Sequence, residues 1–149
     1  MTYNGEGNRV RCLFCRIQTG EEPGKIVYED EKFVVFHTIK PITHLHLLVT
    51  PREHIANAKS LSGNKGADLI EELVEIGKKA LGPQYADEAQ YCFHIPPWNS
   101  IDHLHLHAIA DAHTMSCVNR MKYPNGEYGH CRSAKGLINE LRASKKQSQ

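Results

Sequence analysis

The stretch His103-Leu104-His105-Leu106-His107-Ala108-Ile109 places a histidine at every second position, with a leucine between successive histidines. Side chains of a β-strand point alternately to its two faces. The alternation therefore predicts a strand with three imidazoles on one face and Leu104 and Leu106 in a core behind them, whereas a helix would scatter the imidazoles. Near neutral pH an imidazole can donate or accept a proton, act as a nucleophile or bind a metal. The pattern favours a chemically active strand over a chance cluster of histidines on a solvated one.

Length and charge restrict the class of protein. The chain has 149 residues, enough for one domain with a core, and a formal net charge of +1, which gives no strong electrostatic attraction to nucleic acid or membranes. It has no run of about 18 apolar residues and no apolar signal-peptide core. Its five cysteines, an odd number, argue against a disulfide framework. We expect an intracellular protein, cytoplasmic or also nuclear, that binds neither membrane nor nucleic acid.

Hydrophobic periodicity predicts an α+β domain over residues 12–143, with an antiparallel sheet of about five strands. The predicted strands cover residues 26–28, 32–37, 44–50, 89–95 and the histidine stretch. From Gly66 the apolar residues follow helical spacing until Gly82-Pro83, which predicts one main helix with Ser62 or Asn64 as its cap. Short helices are predicted before Gly20 and over 136–143. Residues 1–11 are predicted to be a flexible arm and 144–149 a polar tail.

The pair Cys12-x-x-Cys15 has three interpretations. A redox pair usually begins a helix after a strand, and no strand is predicted before Cys12. Alternatively, the two thiolates form half of a tetrahedral zinc site, which His54 and one histidine of the strand would complete. The third interpretation is a pair of half-buried structural thiols.

Further candidates are less specific. His44-Leu45-His46 would place two histidines on one face of a strand, where either could join the cluster or bond a backbone carbonyl. Ser100, just before the histidine strand, can donate a hydrogen bond to a leaving group or a phosphate oxygen. Four apolar residues near short loops suit either a core or a nucleobase pocket, and these are Phe14, Ile17, Phe36 and Ile39.

Taken together, these motifs resemble the histidine-triad (HIT) family. The histidine stretch resembles the family signature, and the segments that resemble its other conserved regions are 12–17 with 20–23, Phe36-His37 with Ile39, and 46–49 with 51–55. The loop Pro96-Pro97-Trp98-Asn99-Ser100 is similar to that of the third HINT branch. The resemblance covers residues 12–110 and implies a HIT-like α+β fold.

The resemblance also implies an activity, that of an adenosine 5′-monophosphoramidase-like nucleotide hydrolase or transferase. His105 would attack the α-phosphorus of an adenosine phosphoramidate or acyl-adenylate, and water would then release AMP from the nucleotidyl-histidine. His107 would hold a phosphate oxygen, Ser100 would lie near the leaving group, and His46 would support the cluster. The nucleotide-binding residues implied are Leu13, Phe14, Ile17, Phe36, His37, Thr38, Ile39, Asn99, Ser100, His105 and His107.

The family further implies a structural zinc ion and a homodimer. The zinc ligands would be Cys12, Cys15, His54 and His103, and the chemistry itself would need no cofactor. The main helix and a neighbouring strand would form the dimer interface. The partner of the site would be a purine nucleotide, an AMP conjugate.

Two positions depart from the family pattern. Thr38 stands where the family usually has an Asp that accepts hydrogen bonds from the ribose hydroxyls, and a hydroxyl lacks the charge and second oxygen of that carboxylate. Pro96-Pro97 removes backbone N–H groups that glycines would offer to a phosphate. Both departures concern substrate preference rather than the reaction.

Three alternative functions fit these motifs less well. An aprataxin-like enzyme would remove adenylate from nucleic-acid 5′ ends, but the chain is nearly neutral, and Cys117, His130 and Cys131 do not form a convincing zinc finger. A zinc-containing scaffold protein that only binds nucleotides would not need a complete triad and Ser100. A metalloenzyme that uses all three strand histidines would have to span about 13 Å from the first to the third.

Overall fold

The computed structural model describes residues 12–20, 24–95, 101, 103–123 and 131–143. Helices and strands follow one another as α1 (Leu13–Thr19), β1 (Ile26–Glu29), β2 (Phe33–His37), β3 (His46–Pro51), α2 (Gly63–Leu81), β4 (Gln90–His94), β5 (Leu106–Ile109), α3 (Cys117–Lys122), β6 (Cys131–Ser133) and α4 (Ala134–Ala143). Short 3-10 turns cover Ala58–Ser60 and Ala112–Thr114.

The strands form a six-stranded sheet in the order β1-β2-β3-β5-β4-β6. Every neighbouring pair is antiparallel. β5 therefore lies in the interior of the sheet between β3 and β4, with Leu48 opposite His107 on one side and Cys92 opposite His107 on the other. This register brings side chains from three strands together around His107.

The strict alternation of side chains divides the sheet into two faces. One face carries Leu47 and Val49 of β3 and Leu106 and Ala108 of β5, all in the main hydrophobic core with residues of α2 and α4. The opposite face carries the histidines together with Leu48, which belongs to a second apolar cluster that includes residues of α1. One face thus supplies most of the packing, and the other carries the polar groups.

The main helix packs closely against the centre of the first face. A β-carbon at Gly77 would lie 3.3 Å from Val49 Cγ2 and 3.6 Å from Ala108 Cβ. The absence of a side chain at Gly77 thus lets α2 approach the two central strands. This packing fixes the strands that carry His46 and His107 on their other face.

The α+β class and the antiparallel sheet agree with the prediction, and several boundaries differ. Regular pairing of the histidine stretch begins only at Leu106, because His103 to His105 lie before β5. The main helix begins at Gly63, three residues before the predicted start, with Ser62 at its N-cap position but without a capping hydrogen bond from the Ser62 side chain. Strand β6 and helix α3 were not predicted. Within the described ranges, no helix combines the length and apolarity needed to cross a bilayer.

Candidate functional site

The three histidines of the signature lie in a row along the second face of the sheet. The rings of His105 and His107 are 5.0 Å apart between centroids. All three side chains are buried, His103 at 0%, His105 at 8% and His107 at 5% relative exposure. The two intervening leucines, Leu104 and Leu106, pack in the main core. This arrangement agrees with the alternation of the sequence, although only part of the stretch is regular strand.

A backbone carbonyl fixes the orientation of His105. His105 Nδ1 lies 2.7 Å from the carbonyl oxygen of His103. A carbonyl can only accept, so Nδ1 carries the proton and Nε2 keeps its lone pair. Burial lowers the pKa of His105 to about 4, an effect that the hydrogen bond to His103 opposes and positive charge on His94 reinforces. At neutral pH the ring is therefore uncharged, with an unprotonated Nε2.

His46 and His107 form a directed chain of hydrogen bonds. The backbone N–H of Ile42 donates to His46 Nδ1 over 3.4 Å, which places the proton of the neutral His46 ring on Nε2. His46 Nε2 lies 2.9 Å from His107 Nδ1 and donates to it. The proton of His107 is then on Nε2, which is buried and has no hydrogen-bond partner among the described residues. His107 thus offers an unused N–H donor beside His105.

Burial keeps this chain uncharged. It lowers the pKa of His46 to about 4, with smaller contributions from positive charge on His105 and His94. It also lowers the pKa of His107 well below its ordinary value, and positive charge on His105, His46 and His94 adds to that effect. Because both rings stay neutral near pH 7, each has one donor and one acceptor nitrogen, so Ile42 donates to His46 and His46 donates to His107.

The four residues predicted as zinc ligands converge at the start of the histidine row. Their ligand atoms, from Cys12, Cys15, His54 and His103, all lie within 4.8 Å of one another. His103 Nδ1 is 3.4 Å from the sulfur of Cys12 and 3.4 Å from that of Cys15. His54 Nδ1 is 3.3 Å from the sulfur of Cys15. In tetrahedral zinc sites, bond lengths of about 2.3 Å to sulfur and 2.0–2.1 Å to nitrogen put such ligand pairs roughly 3.5 Å apart.

The protonation of these ligands also suits a metal. His103 Nε2 donates to the carbonyl oxygen of Pro51 over 2.9 Å, which leaves Nδ1 unprotonated and directed at the two sulfurs. Burial raises the pKa of the Cys12 thiol to about 11, so a nearby cation is required to hold it as a thiolate at neutral pH. The four residues can therefore hold a metal ion, and their donor set suits zinc.

Three of the predicted nucleotide-binding residues form an apolar surface beside the histidines. Phe14, Ile17 and Phe36 are buried in the second apolar cluster. The ring of Phe14 packs edge-on against Phe36 at 5.1 Å and against His105 at 5.0 Å between centroids. Helix α1 thus brings an aromatic side chain directly to the predicted nucleophile.

The remaining predicted contacts are less close to this surface. His37 and Thr38 are half-buried at the end of β2, where the N–H of Thr38 donates to the carbonyl of His46 over 3.3 Å. Ile39 is 84% exposed and lies outside the apolar cluster. Leu13 belongs to α1, but its side chain lies outside the described part of the structure, as do Asn99 and Ser100.

His44 does not join the cluster. It is exposed, it binds the carboxylate of Asp111, and its ring packs against Tyr85 at 5.5 Å between centroids. The chain enters β3 only at His46, so the two histidines do not share one regular strand. Of this pair, only His46 faces the triad.

Two residues beside the triad were missed from the sequence. The ring of His94 lies 4.9 Å from that of His107, and the ring of Tyr123 lies 5.2 Å from it. The sequence signal for His94 was its position two residues after Cys92 on a predicted strand, which places both on one face. Nothing in the sequence around Tyr123 indicated that it would return to the site.

Comparison with known proteins agrees with the geometry. Residues 11–123 match the family described as scavenger mRNA decapping enzyme C-term binding. A solved HIT family hydrolase from Clostridium thermocellum has a TM-score of 0.60 and 27% identity, over 72% of this chain and 96% of that one. The chain belongs to the histidine-triad family.

Two HINT relatives extend this likeness over most of the chain. Adenosine 5′-monophosphoramidase HINT3 of Xenopus tropicalis is 35% identical over 139 residues, 91% of this chain and 90% of the relative. The bifunctional adenosine 5′-phosphosulfate phosphorylase/adenylylsulfatase HINT4 of Arabidopsis thaliana is 36% identical over 108 residues, 70% of this chain and 73% of the relative. Both names describe enzymes that act on adenosine 5′-phosphate derivatives, and both relatives place this HIT protein in the HINT branch.

Proposed function

We propose that this protein hydrolyses adenosine 5′-phosphoramidates and acyl-adenylates through a nucleotidyl-histidine on His105, and releases AMP. The observation that carries the proposal is the pairing of His105 Nε2, an unprotonated nitrogen, with His107 Nε2, a proton donor with no partner among the described residues. A nucleophile beside a hydrogen-bond donor suits attack on a phosphorus whose oxygens need stabilisation. The activity named for the Xenopus relative supports the same substrate class.

The first chemical step follows from the orientation of His105. Its Nε2 attacks the α-phosphorus, the P–N bond to His105 forms, and the bond to the amine or acyl-oxygen leaving group breaks. An amine leaving group takes up a proton from solvent, and Ser100 would donate a hydrogen bond near it, as the family resemblance implies. The imidazole becomes positively charged when it is nucleotidylated. Nδ1–H then donates to the His103 carbonyl as a charge-assisted hydrogen bond, which is stronger than a neutral one.

In the second step water attacks the phosphorus and loses a proton to solvent, the P–N bond to His105 breaks, and AMP leaves with His105 neutral again. His107 Nε2–H donates to a non-bridging phosphate oxygen in both steps. His46 maintains that donor because its own Nε2–H occupies His107 Nδ1. Splitting one substitution into two lowers the barrier that each step must cross.

The nucleoside would rest against the apolar surface formed by Phe14, Ile17 and Phe36. This surface is adjacent to His105 through the ring of Phe14, which supports a nucleotide whose phosphate reaches the triad. The ribose side would be formed by His37, Thr38 and Ile39, and Leu13 and Asn99 complete the set that the family implies. Thr38 supplies a neutral hydroxyl where the family has a carboxylate.

We further propose that the metal held by Cys12, Cys15, His54 and His103 is zinc, with a structural role. All four tetrahedral positions would be filled by the protein, so no position would remain for substrate or water. When bound, zinc would cross-link the start of α1 to the segments around Pro51 and His103. No step of the reaction would pass through it.

The same family likeness leads us to propose a homodimer with one domain per chain over residues 12–143. Light scattering coupled to size-exclusion chromatography measures this directly. A mass of one chain at micromolar concentration would contradict the dimer and leave the proposed chemistry untouched.

The function is tested with adenosine 5′-phosphoramidate, with release of AMP followed by chromatography. His105→Ala should lower turnover by about 10⁴-fold or more, as expected for loss of a nucleophile. The matched control is His44→Ala, since His44 is exposed and outside the cluster. Mass spectrometry of wild-type protein quenched in alkali during turnover should detect an adenylate on His105, because the P–N bond of a nucleotidyl-histidine is labile in acid but survives alkali. If His105→Ala retains more than roughly a tenth of wild-type turnover, the assignment fails. Preferential turnover of adenylated DNA would favour the nucleic-acid alternative instead.

A further inference from the structure

A second aromatic side chain, besides Phe14, packs against the histidine row. Tyr123 is the residue that follows α3, and its ring lies 5.2 Å from that of His107 between centroids, with an interplanar angle of 75°. The same ring lies 5.8 Å from that of His46, at an interplanar angle of 88°. Tyr123 therefore contacts both partners of the hydrogen bond that orients His107, although the proposed reaction gives it no role.

Hydrogen bonds from β4 hold the backbone from which this ring projects. Gln90 Nε2–H donates to the carbonyl oxygen of Tyr123 over 3.0 Å. His94 Nε2 lies 2.9 Å from the carbonyl oxygen of the preceding residue, Lys122. Gln90 and His94 are four residues apart on one strand, so both side chains extend from the face that carries the histidines. Two side chains of β4 thus fix the segment that ends α3 against the histidine row.

The hydrogen bond between His46 and His107 depends on the exclusion of water. His46 is 1% and His107 is 5% exposed, and the two rings are joined over 2.9 Å between His46 Nε2 and His107 Nδ1. A water molecule beside this bond could accept the proton of His46 Nε2, and His107 would then be free to carry its own proton on either nitrogen. A hydrogen bond that is kept from water is also stronger than one that water can reach. Whatever covers this bond therefore influences which nitrogen of His107 is the donor.

We propose that Tyr123 is a positioning residue of the reaction. Its ring, held in place through Gln90, keeps water away from the hydrogen bond between His46 and His107 and so preserves His107 Nε2–H for the phosphate oxygen. This inference rests on the proposed function, since it assumes that His107 donates to a phosphate. The ring makes the contacts with both imidazoles, so a phenyl ring should serve as well as a phenol.

The kinetic experiment compares Tyr123→Phe with Tyr123→Ala. The Phe variant keeps the ring and should match wild type in kcat/KM for adenosine 5′-phosphoramidate. The Ala variant admits water, so its kcat/KM should fall roughly tenfold, the effect of weakening one hydrogen bond to the phosphate. Adenosine has no phosphate and should bind all three proteins equally. The matched control is Tyr85→Ala, which removes the same side chain beside His44, outside the triad, and should leave kcat/KM unchanged.

Three kinetic results would overturn the proposal. Equal losses of kcat/KM in the Phe and Ala variants would assign the effect to the hydroxyl instead of the ring. An Ala variant with wild-type kcat/KM would show that the ring protects nothing the reaction needs. An Ala variant that loses adenosine affinity as much as kcat/KM would show a general collapse of the pocket.

NMR tests the exclusion of water independently of turnover. The proton on His46 Nε2 gives a signal only while its exchange with water is slow, and its absence from His46→Gln assigns it. The signal should be present in wild type and Tyr123→Phe and broadened away in Tyr123→Ala. A sharp signal in Tyr123→Ala would overturn the inference. If the wild type shows this signal but does not turn over the phosphoramidate, the proposed function fails while the shielding of the bond stands.

A second variant keeps the test decisive if Tyr123→Ala does not fold. Gln90→Leu retains the ring of Tyr123 and a side chain of similar volume at position 90, but removes the donor that anchors the Tyr123 carbonyl. Exchange of the His46 Nε2 proton should become faster, and kcat/KM should fall by a smaller factor than in Tyr123→Ala. A Gln90→Leu protein that equals wild type in both measurements would overturn the inference.

Discussion

His46→Ala removes the middle member of the hydrogen-bond chain from Ile42 to His107. In the wild type, His46 Nε2–H donates to His107 Nδ1 over 2.9 Å and so keeps the proton of His107 on Nε2. Without that donor, His107 can move its proton to Nδ1. Its Nε2 would then present a lone pair to the phosphate oxygen, and an attraction would become a repulsion.

The size of the loss in activity follows from the hydrogen bond that His107 Nε2–H would no longer donate to the phosphate oxygen. A hydrogen bond to a charged group contributes about 1.5–3 kcal/mol net. This corresponds to a roughly ten- to hundredfold loss in kcat/KM for adenosine 5′-phosphoramidate. The substitution also leaves a buried cavity and the Ile42 N–H without its acceptor, so we expect unfolding to become easier by about 1–3 kcal/mol.

A matched variant separates the two effects. His46→Gln preserves most of the volume and can donate an amide N–H to His107, so it should recover much of the activity lost in His46→Ala. ¹⁵N NMR reports directly which nitrogen of His107 is protonated. If His46→Ala leaves the proton on Nε2 and kcat/KM unchanged, the donor order assigned here is wrong. Equal losses in the Ala and Gln variants would refute the same reasoning.

Three further predictions concern the metal, the ribose and pH. Cys15→Ser should lower the melting temperature and the zinc content. Cys117→Ser changes an exposed free thiol and should alter neither. If wild-type protein without zinc were as stable as wild-type protein with it, this prediction would be wrong. Thr38→Asp should tighten AMP several-fold and 2′-deoxy-AMP less, because a charged acceptor adds about 1 kcal/mol; parallel changes would remove Thr38 from the ribose site. The pKa of His46 is about 4 when folded, so the unfolded chain binds more protons between about pH 6.5 and 4. The free energy of unfolding should therefore decrease as the pH is lowered from about 6.5 to 4. The decrease should be less steep in His46→Gln than in wild type, as measured by urea unfolding.

The sequence was most informative where side chains alternate strictly. The period of two in residues 103–109 correctly predicted that Leu104 and Leu106 enter the core and that the histidines share the other face. The spacing of Cys12 and Cys15 has a similar local origin, since the N-cap and first turn of α1 place the two sulfurs together, whereas their approach to His103 depends on the fold of the chain. Local periodicity determines these features, so they can be deduced without knowing how distant segments pack.

Features that depend on distant segments could not be deduced in this way. His94 reaches His107 only because β4 pairs with β5, and Tyr123 reaches both because the chain returns after α3. β6 has three residues, too few for an alternation to be visible in the sequence. The different positions of His44 and His46 could not be deduced either, because both belong to one His-x-His pattern. They differ because β3 begins at His46, so His44 lies outside the strand.

His103 connects the metal-binding cluster with the predicted nucleophile. Its Nδ1 faces the sulfurs of Cys12 and Cys15, its Nε2–H donates to the Pro51 carbonyl, and its own carbonyl accepts from His105 Nδ1–H. Each of the three groups holds the residue in one orientation, so a shift in the cluster would also move the carbonyl that orients His105. A metal that takes no part in the reaction would then still influence its rate, because it fixes the backbone that decides which nitrogen of His105 is free to attack.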